Sequence, residues 1–299
     1  MKIGRQRSHP FTVTSHQDMA DLERRLQTLH RAVRACWDTP GRRGRVISLA
    51  GAGDVLVAGD LHGNLNNLRR LLDLADLTGQ PGRHLVVQEV LHGPFRYPAG
   101  SDRSHQLVDL VAALKVQFPE RVHLLVGNHE LAQATGRRIA KESGVLNDLF
   151  RASLVEAYGD GADAVYAGYL ELFAAAPLAL CTSNGVLLTH SLPPAPRLAC
   201  FNPSVLEQDT AAEVEFHPGG SIYSLVWGRD ISLEAAAGFL NVMGARLLIT
   251  GHIACDRGFD FPNKRQIILD SLGDPAGYCL FPTDRPLSYE ELVACVSTL

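Results

Sequence analysis

The stretch Val-Leu-Val-Ala-Gly-Asp-Leu-His-Gly-Asn at 55–64 constrains this chain more than any other. Its apolar run, Val55 to Ala58, reads as a buried strand. The run stops at Gly59-Asp60-Leu61-His62-Gly63, which sets a carboxylate and an imidazole just past the strand's carboxyl end. Ligands gather at that edge of open α/β sheets. A carboxylate oxygen and an imidazole nitrogen suit a divalent ion such as Mn, Fe or Zn. The flanking glycines let the backbone turn sharply there.

Strand and helix alternate after that point. Leu65 to about Leu77 is an amphipathic helix, His84 to Val90 a second strand, and Ser104 starts a helix that runs to about Gln117. Val122 to Val126 is a third strand, closing on Gly127-Asn128-His129-Glu130. This alternation is the sign of a parallel sheet. Upstream, an arm at 1–14 leads to a helix from about Gln17 to Cys36, expected to cover one face of the sheet. Val46 to Leu49 and Val55 to Ala58 flank Gly51-Ala52-Gly53-Asp54, which reads as a hairpin turn. The segment 131–176 is expected to be a helical insertion over the site, and 192–220, rich in Pro and Gly, a lid or binding loop. Leu178 to Cys181, Val186 to Thr189, Arg246 to Thr250, Gln266 to Asp270 and Tyr278 to Phe281 read as strands, and 288–296 as a closing helix. The expected division is an arm and covering helix at 1–44, then one domain at 45–299.

Composition removes several classes. A net charge of −4 leaves no basic footprint for nucleic acid. No apolar run is long enough to cross a membrane, and the N-terminus lacks a secretory apolar segment, so a cytoplasmic protein is expected. The six cysteines include no CxxC pair and read as reduced core residues. No GxxxxGK[ST] pattern is present, which argues against a nucleotide P-loop.

Four strand ends carry ligand-type side chains: Asp60 with His62, then Asn128, then His190, then His252. In these pieces, Gly59-Asp60-Leu61-His62-Gly63-Asn64, Gly127-Asn128-His129-Glu130, Thr189-His190 and Gly251-His252, the chain resembles the calcineurin-like metallophosphoesterases of the phosphoprotein-phosphatase type. The resemblance covers roughly 45–282. It implies two central mixed β-sheets packed together and flanked by helices, an α/β four-layer sandwich with two divalent metal ions at the sheet edge. It further implies that Asp60 and His62 hold one metal, that Asn128, His190 and His252 hold the other, and that His129 protonates the leaving group. The implied activity is hydrolysis of a phosphomonoester, on a phosphoprotein or a small phosphorylated metabolite or nucleotide, by a metal-bound hydroxide. Two metals about 3.5–4 Å apart can share such a nucleophile and clamp a phosphate. The alternative is a degenerate relative that binds metal or a phosphorylated ligand without turnover.

The family's second motif, GDxxDRG, is altered here to Val87-Gln88-Glu89-Val90-Leu91-His92-Gly93-Pro94. An ungapped count back from Gly93 puts Gln88 in the slot of the aspartate that bridges the metals. A shift of one residue brings in Glu89, and charge favours Glu89, because only an anion offsets the repulsion of two cations. His92 stands where the motif has a phosphate-gripping arginine and is expected to donate to phosphate or to ligate metal. Leu91 replaces the aspartate that orients the catalytic histidine. Glu130 is one candidate to orient it instead; Asp102 and His105 are expected in a solvated loop or helix start. Arg229, after Trp227-Gly228 and an apolar stretch read as a strand, is the expected phosphate clamp.

Overall fold

A computed structural model describes residues 16–51, 53–141 and 144–299. The arm expected at 1–14 lies outside them. In chain order the elements are α1 (His16–Trp37), β1 (Arg42–Arg43), β2 (Val46–Leu49), β3 (Asp54–Asp60), α2 (Leu65–Ala75), β4 (Arg83–Gln88), α3 (His105–Gln117) and β5 (Val122–Leu125). There follow α4 (Asn128–Ala134), β6 (Ala140–Lys141), β7 (Gly144–Val145), α5 (Leu146–Tyr158), α6 (Ala162–Ala175), β8 (Ala179–Thr182) and β9 (Val186–Thr189). The last third holds α7 (Ser221–Trp227), α8 (Leu233–Met243), β10 (Leu247–Thr250), β11 (Phe259–Asn263), β12 (Gln266–Leu269), β13 (Gly277–Pro282), α9 (Tyr289–Val293) and β14 (Val296–Thr298).

Two sheets form the centre. One has the order β14-β13-β3-β4-β5, and the other β1-β2-β8-β9-β10-β12-β11. Both are mixed: β3, β4 and β5 run parallel, as do β9, β10 and β12, while β13 and β11 pair antiparallel to their neighbours. Strand alternation builds the layers. On β3, Val55 and Val57 join Ile47, Leu180, Leu188, Ile249 and Ile267 of the other sheet in one apolar layer. Leu56 and Ala58 turn the opposite way, into the core shared with α2 and α3. Strands apolar on both faces are what a sheet covered on both sides requires.

The turn at Gly51-Ala52-Gly53-Asp54 is not a hairpin. β2 pairs with β1 and β8, whereas β3 pairs with β4 and β13, so this segment carries the chain from one sheet to the other. α1 packs chiefly on α3 and α6. Between 131 and 176 the described residues hold the end of α4, the small β6–β7 hairpin, α5 and α6, and the hairpin with the start of α5 is the part that reaches the sheet edge. The segment 192–220 forms three short 3-10 turns, none of whose residues lines the cleft described below. Its residues Ala211, Glu213, Phe216 and His217 border a separate cavity beside α4 and α6. The stretch before Trp227 is the helix α7, and the closing segment is a short helix followed by a strand.

Candidate active site

β3 and β4 of one sheet and β9 and β10 of the other end at the same edge. The turns beyond them, with the start of α4, surround a cleft of about 440 Å³. Its lining includes Asp60, His62, Glu89, His92, Asn128, His129, Arg229 and His252. His190, fully buried, stands beneath them with Gln88.

The backbone strains to bring these groups together. His62, Glu89, His92 and His252 all have left-handed φ, at 42°, 45°, 60° and 68°. Such a conformation is unfavourable for residues with a Cβ and clusters at functional sites. At Glu89 it breaks strand alternation, so Gln88 and Glu89 both reach His190. Gln88 Oε1 lies 3.0 Å from His190 Nδ1, while a Glu89 oxygen lies 3.5 Å from His190 Nε2. Gln88 also donates to the Ala58 carbonyl, which fixes its amide. Two glycines make room by lacking a side chain. A Cβ on Gly127 would fall 1.7 Å from Glu89 Oε2, and one on Gly251 2.2 Å from Asp60 Oδ1.

Asp60 accepts the His252 backbone N–H at 3.1 Å and lies 3.9 Å from His62 Nε2. His62 Nδ1 is held by the Leu91 carbonyl at 2.7 Å, which aims Nε2 at Asp60. Glu130 is fully buried and accepts from the Val90, Leu91 and Gly127 amides. It thereby ties the loop after β4 to the start of α4. Burial pushes the Asp60 and Glu89 carboxyls well above the usual carboxylate range, and neighbouring carboxylates add to this: Asp270 and Glu130 act on Asp60, Glu130 and Asp60 on Glu89.

Among the described residues no three His, Cys, Asp or Glu side chains are drawn into a ready metal centre. The donors nevertheless fit a cation. His252 Nε2 is buried without a hydrogen-bond partner among the described residues. His190 faces acceptors on both ring nitrogens: Gln88 on one side, Asn128 Oδ1 at 3.1 Å and Glu89 on the other. A neutral imidazole donates from one nitrogen only, so one lone pair points at oxygen. Closely spaced buried carboxylates have the same unmet need for positive charge.

His129, also buried, turns Nε2 to Glu89 Oε1 at 3.5 Å, and its Nδ1 has no partner among the described residues. Burial, then the neighbouring His92 and His62, hold its pKa well below the ordinary imidazole value. Among the described residues no carboxylate orients it through Nδ1.

His92 lines the cleft, but its ring is fully engaged. Nδ1 lies 2.9 Å from Asp102 Oδ2, and Nε2 takes a bond of 2.9 Å from the Gln133 amide. Tyr166 donates to the Gln133 oxygen at 3.0 Å, which fixes the amide's orientation. No nitrogen is left for phosphate or metal, so the expectation that His92 meets either one does not fit this geometry. Its ring packs edge-on against His129, with centroids 5.1 Å apart. Asp102 and His105 are buried rather than solvated, and Tyr97 and Tyr158 hold His105 through both ring nitrogens. Arg229 is exposed at the cleft, and its charge reaches Asp60, His190 and His252.

Three cleft residues escape sequence reasoning: Arg96, Lys141 and Asp270. Arg96 carries the one usable signal, a cation close behind a motif that lacks its arginine. Lys141 comes from the hairpin, and Asp270 from the turn after β12; neither sits in a motif.

The family model for the calcineurin-like phosphoesterases matches residues 53–256. Among curated proteins the chain is similar to a probable serine/threonine-protein phosphatase of Encephalitozoon cuniculi, 26% identical over 238 residues, which are 72% of this chain and 45% of that protein. It is also similar to the serine/threonine-protein phosphatase BSL2 of Arabidopsis thaliana, 33% identical over 78 residues, 26% of this chain and 8% of that protein. The chain thus spans less than half the length of these relatives. Among solved structures, a protein serine/threonine phosphatase of Saccharomyces cerevisiae superposes with a TM-score of 0.68 at 15% identity, over 93% of this chain and 89% of that one. A cold-active protein-tyrosine phosphatase of a Shewanella species gives 0.58 at 16% identity, over 89% and 84%. At these identities the structural likeness is one of fold.

Proposed function

The chain belongs to the calcineurin-like phosphoesterases, and on that premise we propose that it hydrolyses a phosphomonoester with the help of divalent metal. The observation that carries this reading is the convergence of Asp60, His62, Glu89, Asn128, His129 and His252 on one cleft from separate segments of the chain, with the buried Nε2 of His252 lacking any partner among the described residues.

Asp60 and His62 would hold one ion and Asn128, His190 and His252 the other, with Glu89 between them. When bound, such metal supplies Lewis-acid polarisation of the phosphoryl group and acidifies water near neutral pH. The protein's own groups do the rest. Arg229 would bind and orient the phosphoryl oxygens through its planar fork. His129 would pass a proton from its ring to the departing oxygen. Its Nε2 faces Glu89 Oε1 at 3.5 Å, and with metal bound a charged Glu89 there would favour the protonated ring. Asp102, His92 and Gln133 keep the wall behind His129 rigid. The relatives' names favour a phosphorylated protein as substrate, and a small phosphorylated molecule is the other substrate class that the same chemistry would serve.

The test pairs metal analysis of the purified protein with p-nitrophenyl phosphate turnover in manganese. Two metals per chain with turnover is the expected result, and His252→Ala should lower both. Tight metal binding with no turnover of any phosphomonoester would overturn the hydrolase reading in favour of a metal-binding protein that lacks catalysis.

A further inference from the structure

Three cationic side chains line the cleft, and they act on different parts of it. Arg229 follows α7, and its charge falls on Asp60, His190 and His252. Lys141 projects from the β6–β7 hairpin, exposed and in no ion pair among the described residues, and its charge falls on His62 and His129. Arg96 stands in the loop beside His92, Gly93 and Pro94. Its Nη1 is buried and has no hydrogen-bond partner among the described residues. A guanidinium nitrogen taken out of water without an acceptor is costly, and its fork matches phosphate and carboxylate oxygens.

The loop that carries Arg96 is a built structure. The Tyr97 amide donates to the Ser101 carbonyl at 2.9 Å, and the Arg103 amide to the Phe95 carbonyl at 3.0 Å. Arg96 pairs through its backbone with Asp102, whose carboxylate is anchored on His92. Arg96 is therefore positioned by the same buried pair that fills the place of the altered motif.

We propose that Arg96 and Lys141 form a second anion subsite, apart from Arg229, and that the substrate is a small phosphomonoester carrying a second anionic group, phosphoryl or carboxyl. This rests on the phosphoesterase reading of the cleft. A cleft of about 440 Å³ has the size of a small-ligand site. A single phosphoryl group held beside Arg229 leaves the charges of Arg96 and Lys141 unmatched, and a second anion on the same molecule matches them.

The test is calorimetric binding of phenyl phosphate, 4-carboxyphenyl phosphate and 1,4-phenylene bisphosphate to the full chain. At least one two-anion probe should bind about tenfold more tightly than phenyl phosphate, the scale of one charge-assisted contact. The better of the two tells whether the second group is carboxyl or phosphoryl. Arg96→Ala and Lys141→Ala should each reduce that advantage several-fold, Arg96→Lys should restore part of it, and Arg229→Ala should weaken all three probes alike. Equal affinity for the three probes, or an advantage that survives in both alanine variants, overturns the subsite. Turnover of p-nitrophenyl phosphate separates the two readings. A binding preference without turnover fails the hydrolase alone, and turnover without a preference fails the subsite alone.

Discussion

A carboxylate oxygen of Glu89 lies 3.5 Å from Nε2 of His190, with both side chains buried. His190 donates from only one ring nitrogen, yet Gln88 Oε1 faces Nδ1 at 3.0 Å while Glu89 faces Nε2, so one acceptor stays unmet and Glu89 is the residue whose charge the site should miss most. Glu89→Gln is expected to lower bound metal from two toward one per chain, read by elemental analysis. Gln88→Glu should change metal content little, because Gln88 is already committed to Ala58 and His190. Full metal content in Glu89→Gln would remove Glu89 from the proposed bridge.

His129→Ala should leave metal content nearly intact and reduce turnover of alkyl phosphates by roughly 10²–10⁴, the range for a positioned acid. Aryl phosphates with good leaving groups need less proton donation and should lose less. Equal losses on both substrate types would argue that His129 acts on structure rather than on the leaving oxygen.

Asp102 and His92 are sealed from solvent as a pair. Asp102→Ala strands the His92 Nδ1–H and should cost about 2–4 kcal/mol of stability in urea unfolding. Asp102→Asn keeps an acceptor and should cost clearly less. Wild-type stability in the alanine variant would show that the pair is not what holds the 94–103 loop.

Away from the cleft, the His84 and His123 rings meet at 3.1 Å across β4 and β5. Burial depresses both, His84 to about 4 and His123 well below its ordinary 6.5. As pH falls below 6.5, the unfolded chain takes up a proton at His123 that the native chain excludes, so stability falls with pH by up to about 1.4 kcal/mol per unit for that group. His123→Leu should flatten the acid limb of the stability profile. An unchanged slope between pH 6.5 and 4.5 would mean that the ring titrates normally in the native state.

The sequence exposes the site to the extent that strands carry it. Asp60, His62, Asn128, His190 and His252 each follow an apolar run that can be little other than a strand, so their meeting at one edge is readable in advance. Pairing is not. Nothing local tells that β2 and β3, separated by a glycine turn, belong to different sheets. Ile222 to Trp227 is apolar and too short for a helical period to show, so α7 reads as a strand. Arg96 and Lys141 reach the cleft because of how two loops fold back, which depends on long-range contacts such as Asp102 with His92. The choice between Gln88 and Glu89 hangs on one φ angle, and no pattern of residue types encodes that.

Four of the five non-glycine residues with left-handed backbone among those described, His62, Glu89, His92 and His252, stand in or beside the cleft. Each conformation costs about 1 kcal/mol that glycine would spare. At His92 glycine would also break the buried pair with Asp102, but at His62, Glu89 and His252 selection for heat resistance alone would favour glycine and erase the chemistry while keeping the fold. A library of variants sorted by melting temperature and then by turnover should separate most sharply there, with the most robust molecules the least active.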